Sequence, residues 1–600
     1  MARWKFQGTT KDQSGRILPS ATISFYLAGT TTPASVYTSV TSTTAVNSVT
    51  SSSTDATYSF YTDSFDYDHD QAFKIIITKT NYTSVTYDNL PHGEVVLGTY
   101  TISTAKTITT YVKVSKGVVY AKSGSGSLTF NGPFEAGLYQ VFSGFSTGDI
   151  TFGTGSIDYF RPEWAGASPS ASAATNTTAF QFAFDVATKQ GFPLKIGSGV
   201  YLLNNLLLNY KGAGYSAAVT IEGAGDPGDP TSELTTTFLG GTILKFEKTD
   251  GTHFITPTIN LLGIVVIKNL MIQGSDTDGT STSGDGIHFD VSGSGAALRL
   301  ENVSIHHFRG GNGVYLNLAI SSEFRNVNLN HNLVGLYAIT INASSFHNLV
   351  TQFNTSYAIK VYGTMVVGFY GLLIQANNLY GVYINGCSNI AFYNGYWEAN
   401  NQADNINIYD VLIEGTSGAP VYEPSFHSCR FIVKGGAVNP PGIYIGGVVD
   451  GKVLNPLFVS CRTADILPIF GNYILGYYSI NSPGFDSYVG EGSGVMYGFS
   501  VKERGFIQAL SFATPWVPDL GLSGFYQMTL TNNLVVSGAI GCVGGDRLTI
   551  ILKQDATGSR TVTWDSGYKN VPAINSAANS WTLYQFMLEV GTTVFVHVAS

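Results

Sequence analysis

Between about residues 267 and 408 the apolar and polar positions of this chain repeat on a fixed period. A large apolar residue, a variable residue, usually Asn and then usually a small or branched apolar residue recur as Ile267-Lys268-Asn269-Leu270, Leu300-Glu301-Asn302-Val303, Phe324-Arg325-Asn326-Val327, Phe346-His347-Asn348-Leu349, Phe369-Tyr370-Gly371-Leu372 and Phe392-Tyr393-Asn394-Gly395. The third position steps from Asn302 to Asn326, Asn348, Gly371 and Asn394, at spacings of 24, 22, 23 and 23 residues. A second register, Gly286-Ile287, Gly313-Val314, Gly335-Leu336, Ala358-Ile359 and Gly381-Val382, keeps the same beat. Short strands at such a period, without a helical pattern, predict a parallel β-solenoid with one coil of about 23 residues per repeat.

The flanks are patterned differently. Residues 21–27 and 72–78 alternate like strands with one buried face, and the Ser/Thr-rich run 38–54 reads as an exposed loop, so residues 1–95 predict a β-sandwich. Residues 96–165 read as a connecting β region, with short strands near 128–134 and 150–153 split by glycine turns. After a Ser/Ala-rich linker, a Thr/Asn start places Phe180, Phe184 and Ala187 on one helical face. From about 505 the period is lost, and strands near 545–555, 559–564, 581–588 and 593–598 predict a second sandwich over 505–600. The expected fold class is all-β: a solenoid with its capping helix over 166–504, flanked by two sandwiches.

Three motifs bear a family resemblance. Pro162-Glu163-Trp164-Ala165-Gly166-Ala167, then Thr177-Thr178-Ala179-Phe180-Gln181, then Gly199-Val200-Tyr201-Leu202 resemble the start of pectate-lyase-superfamily β-helices, a start often used by phage tailspike proteins. With the repeats, the resemblance covers roughly residues 155–480. It implies a right-handed parallel β-helix whose open end the helix caps, since a bare coil end exposes apolar core and unpaired backbone. The first domain resembles the transthyretin-like sandwich at the head of many phage tail fibres, and the last resembles the C-terminal sandwiches of phage tail proteins. The resemblance further implies a homotrimer in the virion tail, joined to a baseplate or tail adaptor through its N-terminal domain and recognising a host surface polysaccharide.

Composition narrows the chemistry. Charged residues are 12% of the chain and the net charge is -9, with no basic cluster, which argues against nucleic-acid binding. Cys387, Cys429, Cys461 and Cys542 are far apart, outside the usual zinc spacings, and read as buried free thiols. The N-terminus carries no apolar signal stretch, and no run approaches the ~20 apolar residues of a membrane span. Synthesis in the host cytoplasm without membrane insertion is expected. No cofactor or metal is assigned.

Stacked coils turn equivalent positions into columns about 4.8 Å apart. The outward column before the Asn position reads Lys268, Glu301, Arg325, His347, Tyr370, Tyr393, and a second, two residues after the Gly position, reads His288, Tyr315, Tyr337, Lys360, Tyr383. Exposed rings beside hydrogen-bonding groups suit a sugar, so Tyr315, Tyr337, Lys360, Tyr383, Arg325, His347, Tyr370, Tyr393 and Trp397 are the candidate substrate-binding residues. The competing interpretation is plain sheet surface, where Tyr is common. The Asn column is expected to be structural, its amides bonding from coil to coil at a bend.

The candidate catalytic residues are Glu301, Glu323 and Glu398. Glycoside hydrolysis needs two carboxyl groups roughly 5 to 9.5 Å apart, and Glu301 with Glu323, on adjacent coils, is one such pair. Glu398 follows Trp397, whose apolar ring can raise a general acid's pKa, but it also extends a polar row of Gln273, His306, Asn330, Gln352 and Gln375. Asp276, Asp278, Asp285 and Asp290 form another acidic group, in a loop that reads as a solvated insertion or a weak calcium site. Elimination would need a base and a charge-neutralising group; Lys268, Arg299, Arg309 and Arg325 lie near these acids in sequence. A depolymerase (hydrolase or lyase), a non-catalytic receptor-binding fibre and, more weakly, a bacterial surface adhesin therefore stay open.

Overall fold

The computed structural model describes residues 3–597 except 64–65, 68–70, 91–93, 209–217, 228–239, 258–262, 276–283, 292–295, 401, 403–408, 416–418, 433–442, 448–452, 455–456, 460–461, 464–468, 472–473, 481–487, 491–496, 500–507, 521–524, 541–546 and 589–593. Its dominant element is a β-solenoid of about 15 turns, each of about 24 residues, as the repeat predicts. The chain divides into two units, Met1–Gly335 and Leu336–Ser600.

The first unit opens with two antiparallel sheets. Arg3–Thr9 pairs with Thr57–Asp63, and Thr22–Leu27 lies between Ser48–Thr50 and Phe73–Thr78. Alternation does the work here: Ile23, Phe25, Phe73, Ile75 and Ile77 turn inward and are buried with Phe60 and Val36. Parallel winding then begins earlier than the repeat motif suggests. Val118–Lys122 pairs in parallel with Glu94–Ile102 and with Phe142–Ser143, and Ser127–Phe130 lies between Ala105–Ile108 and Ile150–Phe152. Lys106, Leu128 and Ile150 stand in register at steps of 22 residues. The region expected as a connector is thus coiled, around a core of Tyr100, Tyr120, Phe130, Phe134, Phe142, Phe152, Phe160 and Trp164.

The helix Ala173–Gln190 follows. It starts at Ser172, whose side chain accepts from the Thr175 N–H, and ends at Gly191 with φ 78°. Phe180, Ala183, Phe184 and Ala187 are buried. The Pro-Glu-Trp lead-in has a physical role: Glu163 is buried and accepts from the Gly197 N–H and the Tyr201 hydroxyl, both at 2.6 Å. That carboxylate ties the lead-in to strand Gly199–Leu203.

Two sheets then climb together. In the first unit, Ile264–Gln273, Ala297–His306 and Glu323–Asn330 lie in parallel register, as do Ile287–Asp290 and Asn312–Asn317 in the second sheet. In the second unit, Asn342–Gln352 is followed by Met365–Tyr370, Ser388–Tyr393 and Ser425–His427, while Tyr357–Tyr362, Tyr380–Asn385 and Val411–Gly415 form the companion sheet. Near the C-terminus, Phe525–Leu530 pairs in parallel with Arg547–Gln554, which pairs antiparallel with Trp581–Leu588. Some parallel winding therefore persists where a sandwich was expected. Its core holds Leu548, Ile550, Leu552, Tyr584 and Phe586. Among the described residues no helix is long and apolar enough to cross a membrane.

Candidate functional site

The motif residue before each outward position is driven inward. Leu300, Phe324, Phe346, Phe369 and Phe392 are at most 1% exposed, and the three Phe rings of the second unit stack at 4.7 and 4.9 Å. The Asn that follows bends the strand. Asn269, Asn302, Asn326, Asn348 and Asn394 have φ between 52° and 56°, the left-handed region that Asn tolerates better than other side chains, and Gly371 fills the column at φ 66°. Asn302 Nδ2 donates to Asn269 Oδ1 at 3.0 Å, and Asn326 Nδ2 to Asn302 Oδ1 at 2.9 Å. The column is a structural ladder, as expected.

That bend fixes the outward residue before it. In the first unit, Lys268, Glu301 and Arg325 stand in register. In the second, His347, Tyr370, Tyr393 and His427 form a continuous stack, with centroids 4.7, 5.0 and 4.7 Å apart and planes within 14° of parallel. Beside this stack runs a groove of about 770 Å³, lined by Ser344, Gly368, Tyr370, Asn389, Tyr393 and Glu423 among others. The Tyr370 ring lies over Gly368, where an added Cβ would meet it at 2.7 Å. His427 and Glu423 were missed by the sequence reading, because the insertion between Asn394 and residue 427 breaks the 23-residue step.

The second column is also real. His288 and Tyr315 stack at 4.5 Å. Lys360 lies over three rings, those of Tyr337 at 4.7 Å, Tyr357 at 5.3 Å and Tyr383 at 5.7 Å. Burial lowers the Lys360 pKa. Burial and the hydrogen bond to Glu414 raise that of Tyr383, whose hydroxyl lies 2.8 Å from Glu414 Oε2 and 3.0 Å from Asn385 Nδ2.

The catalytic candidates fare unevenly. Glu398 ends a coil-to-coil row: Gln352 Nε2 donates to Gln375 Oε1 at 2.7 Å, and Gln375 Nε2 to Glu398 Oε2 at 2.8 Å. Trp397 corrects the expectation placed on it. Its ring is fully buried, stacked on Phe431 at 4.6 Å and in register with Ile374, so it is core and no sugar reaches it. Glu323 stands opposite Arg299, diagonally beside Glu301 at roughly 8 Å along the sheet, but Arg325 Nε donates to it at 2.6 Å. Asp290 accepts from Asn317, and Asp285 is buried behind two histidines. Asp276, Asp278, Cys461 and Cys542 lie outside the described residues; Cys387 and Cys429 are buried free thiols.

A further column escaped notice. Asn354, Asn377 and Asn400 are fully buried and bond in series, Asn354 Nδ2 to Asn377 Oδ1 and Asn377 Nδ2 to Asn400 Oδ1, both at 2.9 Å. Asn400 Nδ2 donates to the buried Asp410 at 2.8 Å. Burial raises the Asp410 carboxyl to about 7, against the lowering effect of that bond. The 23-residue spacing of these Asn residues was the available signal.

No curated protein matches this chain. Solved structures with a similar fold include the enzymatically active domain of bacteriophage CBA120 tailspike protein 2, at 14% identity and TM-score 0.35, covering 64% of this chain and 47% of that one. The match thus spans less than half of that domain's length. Bacteriophage CBA120 tailspike protein 3 aligns at 10% identity and TM-score 0.27, covering 70% of this chain and 62% of that one. The A-module of a mannuronan C-5 epimerase from Azotobacter vinelandii aligns at 13% identity and TM-score 0.36, covering 57% of this chain and all of that one. Residues 516–593 match the family described as "Putative phage tail fibre C-terminal domain".

Proposed function

We propose that this protein is a phage tailspike or tail fibre that attaches the virion to a host surface polysaccharide along the outer face of its solenoid. The observation that carries the reading is the stack of His347, Tyr370, Tyr393 and His427 beside a groove. The parallel rings cover one another's faces and turn their edges outward at one-coil spacing, an apolar ridge bordered by hydroxyls and ring nitrogens along which successive sugar units lie. Arg325, Tyr315, Tyr337, Lys360 and Tyr383 extend the outward surface of the two units. The C-terminal family match supports placement in the tail. In this reading residues 1–95 join the spike to a baseplate or adaptor, residues 505–600 contribute to trimerisation or host contact, and three copies assemble.

Recognition is the primary role. Among the described residues lining the groove Glu423 is the carboxylate, whereas hydrolysis by paired carboxyl groups needs two. The test is binding of the full-length protein to extracted host polysaccharide. Tyr370→Ala and Tyr393→Ala should each weaken it by about tenfold, the equivalent of roughly 1.4 kcal/mol, while the loss of two ring contacts lowers the melting temperature by only about 1–3 °C. Wild-type affinity in both variants would refute the site. Glycan cleavage is read separately from new reducing ends, with Glu301→Gln, Glu323→Gln and Glu398→Gln as the assignments under test.

A further inference from the structure

A second constellation lies outside the groove, in the first unit. His253, just ahead of strand Ile255–Pro257, and His288, in Ile287–Asp290, sit on successive coils with their rings stacked at 3.8 Å, and Tyr315 continues the stack. Asp285 lies behind them, 4% exposed. Its Oδ1 accepts from the Asn312 backbone N–H and from Asn312 Nδ2, both at 2.7 Å. Its Oδ2 lies 2.6 Å from His288 Nδ1 and 3.2 Å from His253 Nδ1. Its own backbone N–H donates to His253 Nδ1 at 2.9 Å.

These contacts fix where the ring protons sit. An ionised carboxylate only accepts, so His288 carries its proton on Nδ1 and presents a lone pair at Nε2. His253 Nδ1 faces two groups of Asp285, the backbone N–H at 2.9 Å and Oδ2 at 3.2 Å; accepting from the nearer N–H puts its proton on Nε2, and a doubly protonated ring keeps an N–H there too. A proton acceptor and an N–H donor therefore stand side by side on neighbouring coils, both partly exposed. The three ligand-type atoms fall within 4.8 Å of one another. Both Nδ1 atoms are already engaged by Asp285, which leaves only the two Nε2 atoms free, so the arrangement suits proton transfer better than an ion.

We propose that His288 is the general base of a site that hydrolyses acyl esters on sugars, with Asp285 as its positioning residue and His253 as the donor to the oxyanion. His288 Nε2 takes a proton from water as the water oxygen bonds to the ester carbonyl carbon. The carbonyl electron pair moves onto oxygen, where the His253 Nε2–H meets it. Collapse restores the carbonyl and breaks the bond to the sugar oxygen, which receives the proton from His288. The balance is ester plus water to carboxylic acid plus free hydroxyl. Tyr315, stacked on His288, extends the apolar wall beside the site. Glycosidic cleavage suits this site less well, because its buried carboxylate is engaged behind the rings, while a base beside a neutral donor is what acyl transfer requires. This activity goes beyond glycan recognition and does not depend on it.

The test is multiple-turnover hydrolysis of p-nitrophenyl acetate and of glucose pentaacetate by the full-length protein. His288→Ala should lower kcat by about 10²- to 10³-fold and His253→Ala by about 10²-fold. Asp285→Asn should lower kcat at unchanged KM, since an amide that donates to Nδ1 reverses the His288 tautomer. Melting curves identify variants that fail to fold, and His288→Gln carries the test if Asp285→Asn is one of them. The chain has ten histidines, and the rate left in His288→Ala reports the other nine. A folded His288→Ala or His288→Gln protein as fast as wild type would overturn the proposal. So would a wild-type reaction that stops after one equivalent, which marks an acylated ring instead of water activation. Binding of host polysaccharide, measured on the same variants, reports separately on the recognition surface.

Discussion

Asp410 and His306 are both buried ionisable groups, and they act on stability in opposite senses. Among the described residues Asp410 Oδ2 has no hydrogen-bond partner, so ionisation leaves a buried charge held only by Asn400. Its folded-state value of about 7 lies above the ordinary 3.8. Stability from the neutral carboxyl is therefore complete below about pH 4 and lost as the pH rises through 7. Asp410→Asn keeps the acceptor and removes the ionisation. Its melting temperature should match wild type at pH 4 and exceed it by about 2–4 °C at pH 8, read by calorimetry. His306 runs the other way: burial first, then the charges of His307 and His331, hold it at about 3, below the ordinary 6.5. Its contribution is complete above pH 6.5 and lost as the pH falls toward 3. His306→Gln, which copies its register neighbour Gln273, should flatten the acid limb of the melting profile between pH 6 and 4. A pH-independent offset in either variant would assign its effect to packing.

At the scale of the strand and its bend, conformation and binding can be separated. The three atoms that an added Cβ at Gly368 would meet first all belong to the Tyr370 ring. Gly368→Ala should leave the fold intact, because a side-chain tip can move, yet weaken glycan binding about as much as Tyr370→Ala by tipping the ring off the stack. The Asn bend predicts an ordering. Asn302 holds φ 53° and bonds to both ladder neighbours. Asn302→Gly loses the amide bonds but keeps access to that backbone region, whereas Asn302→Ala adds about 1–2 kcal/mol of conformational cost. The alanine variant should melt lower than the glycine variant; equal melting points would mean that the ladder, not the bend, sets the stability. This scale also explains what was legible. A bend that only Asn or Gly enters easily leaves a periodic mark, so the ladder and both outward columns could be placed from spacing alone. The coils before residue 165 turn without that mark: Phe130 with Phe152, and Tyr120 with Phe142 and Trp164, keep the 22-residue step, but the row is short and no Asn series announces it. Trp397 was misplaced because its acidic neighbour drew attention from strand alternation, which sets it inward with Ile374 and Phe431. The His253–Asp285–His288 set was invisible because residues 32 apart in sequence meet only once the coil between them has closed.

For the whole molecule, weak sites and many of them are the consistent combination. The chain carries 12% charged residues, and the proposed contacts are rings, amides and few charges, so long-range attraction contributes little and affinity for one short oligosaccharide should change by less than about threefold between 50 and 500 mM salt. A host polysaccharide repeats its unit, however, and the proposed three-chain spike would present the ring stack three times. After the first site engages, the others bind at an effective concentration set by the polymer between them, which raises avidity by about 10²- to 10⁴-fold without a new contact. Two measurements decide this together. Light scattering should give a mass near three times the 64.1 kDa chain. The same preparation should bind long polysaccharide at least a hundredfold more tightly than a fragment filling one groove. With Tyr370→Ala in every chain, both affinities fall, and the polymer affinity falls further, because the loss is counted once per engaged site. A single-chain mass, or a polymer-to-fragment ratio near one, would mean that attachment rests on one strong site per chain, which a groove this open and this uncharged is poorly built to supply.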